Sequence, residues 1–121
     1  MGVHNIKTRP WRSPKCLFGR RDSKEDFEQT LHKHRAVAVD FYATWYTPCK
    51  TIAPAFVECS EQDRFKDVRF LKVDIDQLPE LAADMGVREM PAFKLFLDDK
   101  PAGDLVGADK DGLVRLLEKA V

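Results

Sequence analysis

The segment from Val37 to Pro54, V-A-V-D-F-Y-A-T-W-Y-T-P-C-K-T-I-A-P, constrains the fold of this chain more than any other stretch. Its first six residues are apolar or aromatic apart from Asp40, which predicts a buried strand. Pro48 and Cys49 then open a predicted helix after a short turn. A cysteine in the first turn of a helix lies at the positive end of the helix dipole, which favours its thiolate. The segment therefore predicts a strand, a turn and a helix that begins with a candidate reactive thiol.

The same segment resembles the active-site segment of the thioredoxin family, in the form found among fungal thioredoxins. In that family the strand leads into W-C-G-P-C-K, whereas residues 45–50 here read W-Y-T-P-C-K. Thioredoxins attack a substrate disulfide with the first cysteine and resolve the mixed disulfide with the second, buried one. The resemblance implies that Tyr46 replaces the attacking cysteine and that Cys49 corresponds to the resolving one. Thr47 replaces a glycine, and its β-branched side chain stiffens the turn.

Further positions match the family pattern residue by residue. The resemblance implies that Asp40 lies beneath Cys49 as a proton acceptor, with Lys72 nearby. An ion pair between Asp40 and Lys72 explains the acidic residue equally well, because a buried charge needs a partner. The resemblance also implies that Pro91 forms a cis peptide bond facing the active site, and that a substrate peptide lies in a groove. The residues expected to form this groove are Trp45, Tyr46, Thr47, Pro48, Met90, Pro91 and Gly107.

These residues support two hypotheses about function. In the first, the chain is a redox-silent binding protein that holds a protein or peptide segment in the groove, where the amphipathic ring of Tyr46 suits an interface. In the second, Cys49 acts alone and forms a mixed disulfide with glutathione or a partner, which requires that Cys49 be accessible. A variant of the second hypothesis pairs Cys49 with Cys16. The sequence contains no phosphate loop, dinucleotide fingerprint or nucleophile elbow, so we predict no cofactor.

The alternation of strands and helices over residues 23–121 predicts an α/β protein with a mixed central sheet of four to five strands, flanked by helices on both faces. The resemblance makes this the thioredoxin fold. Ser23 and Asp26 have the spacing of a capping box at the start of the first helix. The predicted elements are a helix to about residue 34, a strand over 37–42, a helix over 48–62, a strand over 68–73, a short helix ending near Gly86, strands over 92–97 and 103–106, and a C-terminal helix capped by Asp109.

Residues 1–22 are assigned separately from the domain formed by residues 23–121. Val3–Lys7 is a candidate strand, and Arg9–Asp22 reads as an insertion before the first helix. Alternatively, Lys15–Phe18 supplies the strand and the residues before it form a tail. Large apolar side chains within the insertion are expected to cover a satellite cluster under a long loop, or else to form an exposed patch that suggests a partner. These side chains are Trp11, Leu17 and Phe18.

Charge and composition limit the remaining possibilities. Residues 1–21 contain six basic and no acidic residues. We interpret them as a solvated segment rather than a nucleic-acid site, and Pro10 and Pro14 argue against a mitochondrial presequence, so a cytoplasmic location is expected. The 121 residues contain no apolar run long enough to span a bilayer, which predicts no membrane association. The spacing of the three cysteines predicts no metal site, and Cys59 is expected in the core.

Overall fold

A computed structural model describes residues 21–121 of the chain, with side chains described from Phe27 onward. Four helices and four strands follow one another in the order that the sequence predicts. The elements are α1 (Arg21–Lys33), β1 (Ala36–Tyr42), α2 (Thr47–Ser60), β2 (Val68–Asp74), α3 (Pro79–Asp84), β3 (Ala92–Leu97), β4 (Lys100–Val106) and α4 (Lys110–Glu118). A 3₁₀ turn over Asp63–Phe65, which the sequence analysis did not predict, separates α2 from β2.

Among the described residues the strands form one sheet in the order β2-β1-β3-β4. β1 runs parallel to β2 and antiparallel to β3, and β4 is antiparallel to β3. The predicted mixed sheet is therefore confirmed. One row across the sheet joins Val73, Phe41, Ala92 and Val106, so the last residues of β1, β2 and β4 and the first residue of β3 lie at one end of the sheet.

Helices cover both faces of this sheet because side chains of β1 alternate between two separate apolar clusters. Val37, Val39 and Phe41 pack in a cluster with residues of α1 and α3, where the rings of Phe27 and Phe96 meet edge to face at 6.2 Å. Ala36 and Ala38 belong to the opposite cluster, together with residues of α2 and α4. The predicted helical cover on both faces is thus confirmed.

Within the second cluster, Phe56 of α2 fixes that helix to the sheet. Its ring centroid lies 5.2 Å from that of Phe70 on β2 and 5.7 Å from that of Phe93 on β3. Full burial of such a side chain stabilises a fold by roughly 2–3 kcal/mol. Cys59 belongs to the same cluster and is buried, as the sequence analysis expected.

Most element boundaries agree with the sequence-based prediction to within one or two residues, and the starts of α1 and β4 differ by more. Arg21 and Asp22 are already helical, so Ser23 lies inside α1 and does not cap it. β4 begins at Lys100 rather than at Gly103, because the strand turns tightly out of β3 through Asp98 and Asp99, which both have positive φ. The strand candidates at Val3–Lys7 and Lys15–Phe18 lie outside the described residues, as does most of the predicted insertion.

The start of α4 is capped as predicted. Gly112 donates its backbone N–H to Oδ1 of Asp109 at 3.0 Å, which satisfies one of the unpaired donors of the first helical turn. A Cβ at residue 112 would lie 2.8 Å from Oδ2 of Asp109, so a larger residue there would displace the capping carboxylate.

We expect Asp109→Ala to lower the free energy of unfolding by about 1 kcal/mol, since the backbone donor of Gly112 loses its acceptor. Urea denaturation followed by circular dichroism measures this change. Asp111→Ala is the matched control, because Asp111 is exposed in the same helical turn without the capping bond. Equal losses in both variants would contradict a specific capping role for Asp109.

Candidate functional site

The connection between β1 and α2 places the candidate thiol at the start of a helix, as predicted. Tyr46 is the residue that precedes α2, with extended backbone angles, and its carbonyl accepts a hydrogen bond from the N–H of Cys49 at 3.1 Å. Pro48 lies in the first turn, where a missing backbone N–H costs nothing. Thr47 is exposed and Pro48 is half-buried. Cys49 therefore points inward from the first turn of α2.

The thiol of Cys49 is buried, with only 4% of the residue exposed. This burial raises the pKa of the thiol, and a hydrogen bond with the backbone of Ala43 opposes the rise only in part. Asp40 raises the pKa of the thiol further, and Lys72 lowers it. The start of a helix was expected to favour the thiolate of Cys49, but the net shift of its pKa is upward, and desolvation by burial is the largest cause. Cys49 is consequently a protected thiol.

Asp40 lies at the centre of the sheet with 1% of its surface exposed. Its neighbours in register are Lys72 on β2 and Phe93 on β3, and its Oδ1 atom has no hydrogen-bond partner among the described residues. Burial raises the pKa of the carboxyl to about 7, although Lys72 acts in the opposite direction. The carboxyl is therefore a group that can gain or lose a proton near neutral pH.

Lys72 does not form the expected ion pair. None of the ion pairs between described side chains joins it to Asp40. Its Nζ atom instead lies over the ring of Tyr42, 4.6 Å from the centroid, in a cation–π contact. A direct ion pair as the reason for Asp40 is therefore wrong, and the lysine acts on the carboxyl only over a longer distance.

The sequence analysis missed Tyr42 as a member of this cluster. Burial raises the pKa of Tyr42 to about 12, and the charges of Asp74, Asp40 and Cys49 contribute to the rise. Tyr42 follows Asp40 by two residues, and a strand directs residues two apart to the same face. This two-residue alternation is visible in the sequence, so Tyr42 could have been assigned to the site together with Asp40.

Trp45 and Tyr46 form an exposed aromatic pair. They are 62% and 37% exposed, and their rings meet edge to face with centroids 5.7 Å apart. The indole Nε1 of Trp45 donates to Oδ2 of Asp76 at 2.8 Å, and the backbone N–H of Asp76 donates to Oδ1 of Asp74 at 2.9 Å. Asp76, which the sequence analysis did not single out, therefore fixes the orientation of Trp45.

The start of β3 and the end of β4 carry the other residues predicted to line the groove, and they lie at the same end of the sheet as the end of β1. The Met90–Pro91 peptide bond is cis, Pro91 is buried and Met90 is half-buried. Gly107 donates its N–H to the carbonyl of Pro91 at 2.8 Å, with φ at +109°, a conformation that favours glycine. Val106, a further residue that sequence reasoning missed, is paired in register with Ala92 and is 55% exposed.

The described cysteines, Cys49 and Cys59, are both free and buried, and Cys16 lies outside the described residues. No cluster of three or more potential metal ligands occurs between residues 21 and 121. In the same part of the chain, no helix has the length and hydrophobicity needed to span a membrane. The candidate site therefore contains a buried thiol, a buried carboxyl and an exposed aromatic pair.

A mixed sheet with a helix-start cysteine opposite a cis proline defines the class of thioredoxin-fold proteins, and comparisons agree. The family model described as Thioredoxin matches residues 20–119. Thioredoxin-1 of Schizosaccharomyces pombe is 44% identical over 88 residues, covering 73% of this chain and 82% of the relative. Thioredoxin-2 of Pyricularia oryzae is 42% identical over 93 residues, covering 77% of this chain and 53% of the relative, so the match spans about half that protein's length.

Solved structures give the same result. The oxidised form of mitochondrial thioredoxin 3 from Saccharomyces cerevisiae has a TM-score of 0.75 at 31% identity, covering 79% of this chain and 89% of that one. A thioredoxin from Schistosoma mansoni has a TM-score of 0.72 at 40% identity, covering 84% of this chain and 89% of that one. The chain belongs to the thioredoxin family.

We expect Asp40→Asn to become more stabilising as the pH rises. Because burial raises the pKa of Asp40 from 3.8 to about 7, the folded state binds this proton more tightly than the unfolded state. The stability that results is complete below about pH 4 and is lost as the pH rises through about 7. Asparagine does not titrate, so the difference in unfolding free energy between variant and wild type should grow by about 3 kcal/mol from pH 5 to pH 8.

Urea unfolding at a series of pH values measures this difference. Asp67→Asn is the control, because Asp67 is exposed and removal of its carboxyl should leave the pH profile nearly unchanged. A constant difference between Asp40→Asn and wild type across the series would show that Asp40 does not titrate near neutrality.

Proposed function

We propose that this chain is a thioredoxin-like protein that has lost the dithiol reductase motif and binds a protein segment through its groove. The observation that carries this proposal is the pair of contrasting environments at the start of α2. An exposed tyrosine occupies the position of the family's attacking cysteine, and the remaining thiol, Cys49, is buried with a raised pKa.

The electron balance of disulfide reduction supports this argument. A dithiol gives up two electrons and becomes a disulfide, with a thiolate as the attacking group. Cys49 has no second described thiol to pair with, since Cys59 lies ten residues further along the same helix, at roughly 15 Å. A disulfide needs Cα atoms within about 7 Å. The phenol of Tyr46 cannot supply the missing sulfur.

The groove retains what a binding surface requires. Trp45 and Tyr46 offer large amphipathic contact areas, and aromatic residues of this kind contribute most of the energy at many protein interfaces. The hydrogen bond from Trp45 to Asp76 holds one ring in place before a partner arrives, which reduces the entropy lost on binding. The groove is therefore suited to hold an extended peptide without changing its covalent structure.

The alternative of monothiol chemistry at Cys49 has less support. A mixed disulfide with glutathione requires an accessible thiolate, and burial disfavours both access and ionisation at this residue. One similar solved structure, with a TM-score of 0.74 at 30% identity, concerns the thiol resolving mechanism of a yeast mitochondrial 1-Cys peroxiredoxin via glutathione and thioredoxin systems. The link to glutathione is a property of that yeast system.

We expect wild-type protein to reduce insulin disulfides no faster than a Cys49→Ser variant, because the attacking sulfur is absent. The double substitution Tyr46→Cys, Thr47→Gly restores the family's two-cysteine sequence and should raise the rate at least about tenfold above wild type, since a sulfur at the exposed residue 46 can attack and Cys49 can resolve. Turbidity of the precipitating insulin chains measures the rates.

Thr47→Gly alone is the control for this experiment, because it changes the turn without adding a sulfur. Wild-type turnover well above that of Cys49→Ser would contradict the proposal. A covalent adduct on Cys49 after incubation with oxidised glutathione, detected by intact mass, would contradict it as well.

We expect linear peptides selected from a phage-displayed library against the wild-type chain to lose roughly tenfold in affinity for Tyr46→Ala and for Met90→Asp. Each change removes or charges apolar surface of the groove, and a contact of this type contributes about 1–2 kcal/mol. Fluorescence polarisation with labelled peptides measures the affinities.

Val121→Ala is the matched control, because Val121 is an exposed apolar residue beyond α4 and outside the groove. Its affinity for the peptides should equal that of wild type. Selection of no peptide, or of peptides that bind all variants equally, would be inconsistent with recognition through the groove.

A further inference from the structure

Exposed apolar surface is concentrated at the groove end of the sheet, defined as the end that carries Trp45, Tyr46, Pro91, Val106 and Gly107. Among the described residues, four large hydrophobic side chains are exposed, and three of them lie here: Trp45, Tyr46 and Val106. The row that joins Phe41, Ala92 and Val106 brings their strands together at this end. Clustered exposed apolar side chains are typical of interaction surfaces.

The direction of α1 places its first residue, Arg21, toward the same end of the sheet. The last turn of α1 lies at the opposite end of the sheet, where Nδ1 of His32 is 2.7 Å from Oδ2 of Asp99 at the tip of the β3–β4 hairpin. The carbonyl of Arg35, just before β1, accepts a bond from the N–H of Asp98 at the same tip. α1 therefore runs antiparallel to β1, and Arg21 lies toward the groove end.

The segment that precedes Arg21 is long enough to reach the groove. An extended chain spans about 3.3 Å per residue, so Phe18 can lie up to roughly 10 Å from Arg21 and Trp11 up to roughly 33 Å. Adjacent layers of structure are separated by roughly 10 Å. Trp11 can thus reach any point of the groove end, and Phe18 can reach its nearer rim.

Charge and residue chemistry suit the same pairing. Residues 1–20 contain five basic and no acidic residues, while residues 21–121 contain fifteen basic and twenty acidic residues. Exposed acidic side chains at the groove end include Asp76 and Glu89. The segment R-P-W-R-S-P-K-C-L-F, residues 9–18, combines large apolar side chains with positive charges, which complements an aromatic surface on an acidic domain.

We propose that the chain's own N-terminal segment, residues 9–20, occupies the groove end and seats Trp11 against the exposed apolar side chains of Trp45, Tyr46 and Val106. This inference rests on the proposed function, because it takes the groove to be a binding surface. A foreign peptide then has to displace the segment, which makes residues 9–20 an internal competitor for the partner.

The chain contains two tryptophans, which allows a direct test in the full-length protein. In Trp11→Phe, Trp45 is the sole tryptophan and the aromatic character of residue 11 is kept. In a second variant, Trp11→Asp with Phe18→Asp, Trp45 is again the sole tryptophan but both apolar contacts are lost. We expect acrylamide quenching of Trp45 to rise about twofold in the second variant, because the indole of Trp45 then loses the cover of the segment and meets the quencher more often.

The matched control carries Trp11→Phe together with Thr8→Asp and Ser13→Asp, which adds the same two charges at polar positions. Its quenching should equal that of Trp11→Phe, and circular dichroism checks that all three variants are folded. Equal quenching of Trp45 in Trp11→Phe and in Trp11→Asp with Phe18→Asp would overturn the proposal. A difference that disappears on hundredfold dilution would overturn it too, because the occupant would then be a second copy of the chain.

A competition experiment separates failure of this inference from failure of the proposed function. The phage-selected peptides should bind Trp11→Asp with Phe18→Asp more tightly than they bind Trp11→Phe, by at least about threefold, since the internal competitor is removed. Equal affinities for both variants would overturn the N-terminal occupant while leaving groove recognition intact. Absence of any groove-dependent peptide would instead remove the proposed function on which the inference rests.

Discussion

Burial of β1 on both faces is the constraint on which the rest of the structure depends. The strand pairs with β2 on one side and β3 on the other, and its residues 36–41 are buried beneath helices on each face. A strand in this position is nearly all apolar, because every unpaired polar group there loses its hydration. The loop to α2 starts from the end of this strand, so the position of Cys49 follows from the position of β1.

Asp40 is the exception to that constraint, and its environment connects the fold to the family's chemistry. Within residues 21–121 the carboxyl has no hydrogen bond at Oδ1 and no ion pair with Lys72, and desolvation is the largest cause of its raised pKa. In our proposal Asp40 keeps the surroundings of a proton-accepting group beside a thiol that lacks an attacking neighbour. The buried part of a thioredoxin site, Asp40 and Cys49, then remains, while Tyr46 makes the exposed part a contact surface.

Local sequence rules predicted elements well where the pattern and the tertiary context agree. The limits of β3 and the cap at Asp109 were both predicted from sequence. The capping-box prediction at Ser23 failed because the residues before it continue the helix. The start of β4 was missed because Pro101 and Asp104 interrupt the apolar pattern of this edge strand. The upward shift of the pKa of Cys49 could not be predicted from its place at a helix start, since its largest cause is desolvation, which depends on tertiary packing.

The exposed aromatic pair of Trp45 and Tyr46 has a consequence for the behaviour of the protein in solution. The whole chain has a formal net charge of zero at neutral pH, so molecules repel one another only weakly. Exposed apolar patches on two such molecules attract each other, because no long-range charge repulsion keeps the molecules apart. Whatever covers the groove therefore also keeps the protein dispersed, and solubility and recognition depend on the same few side chains.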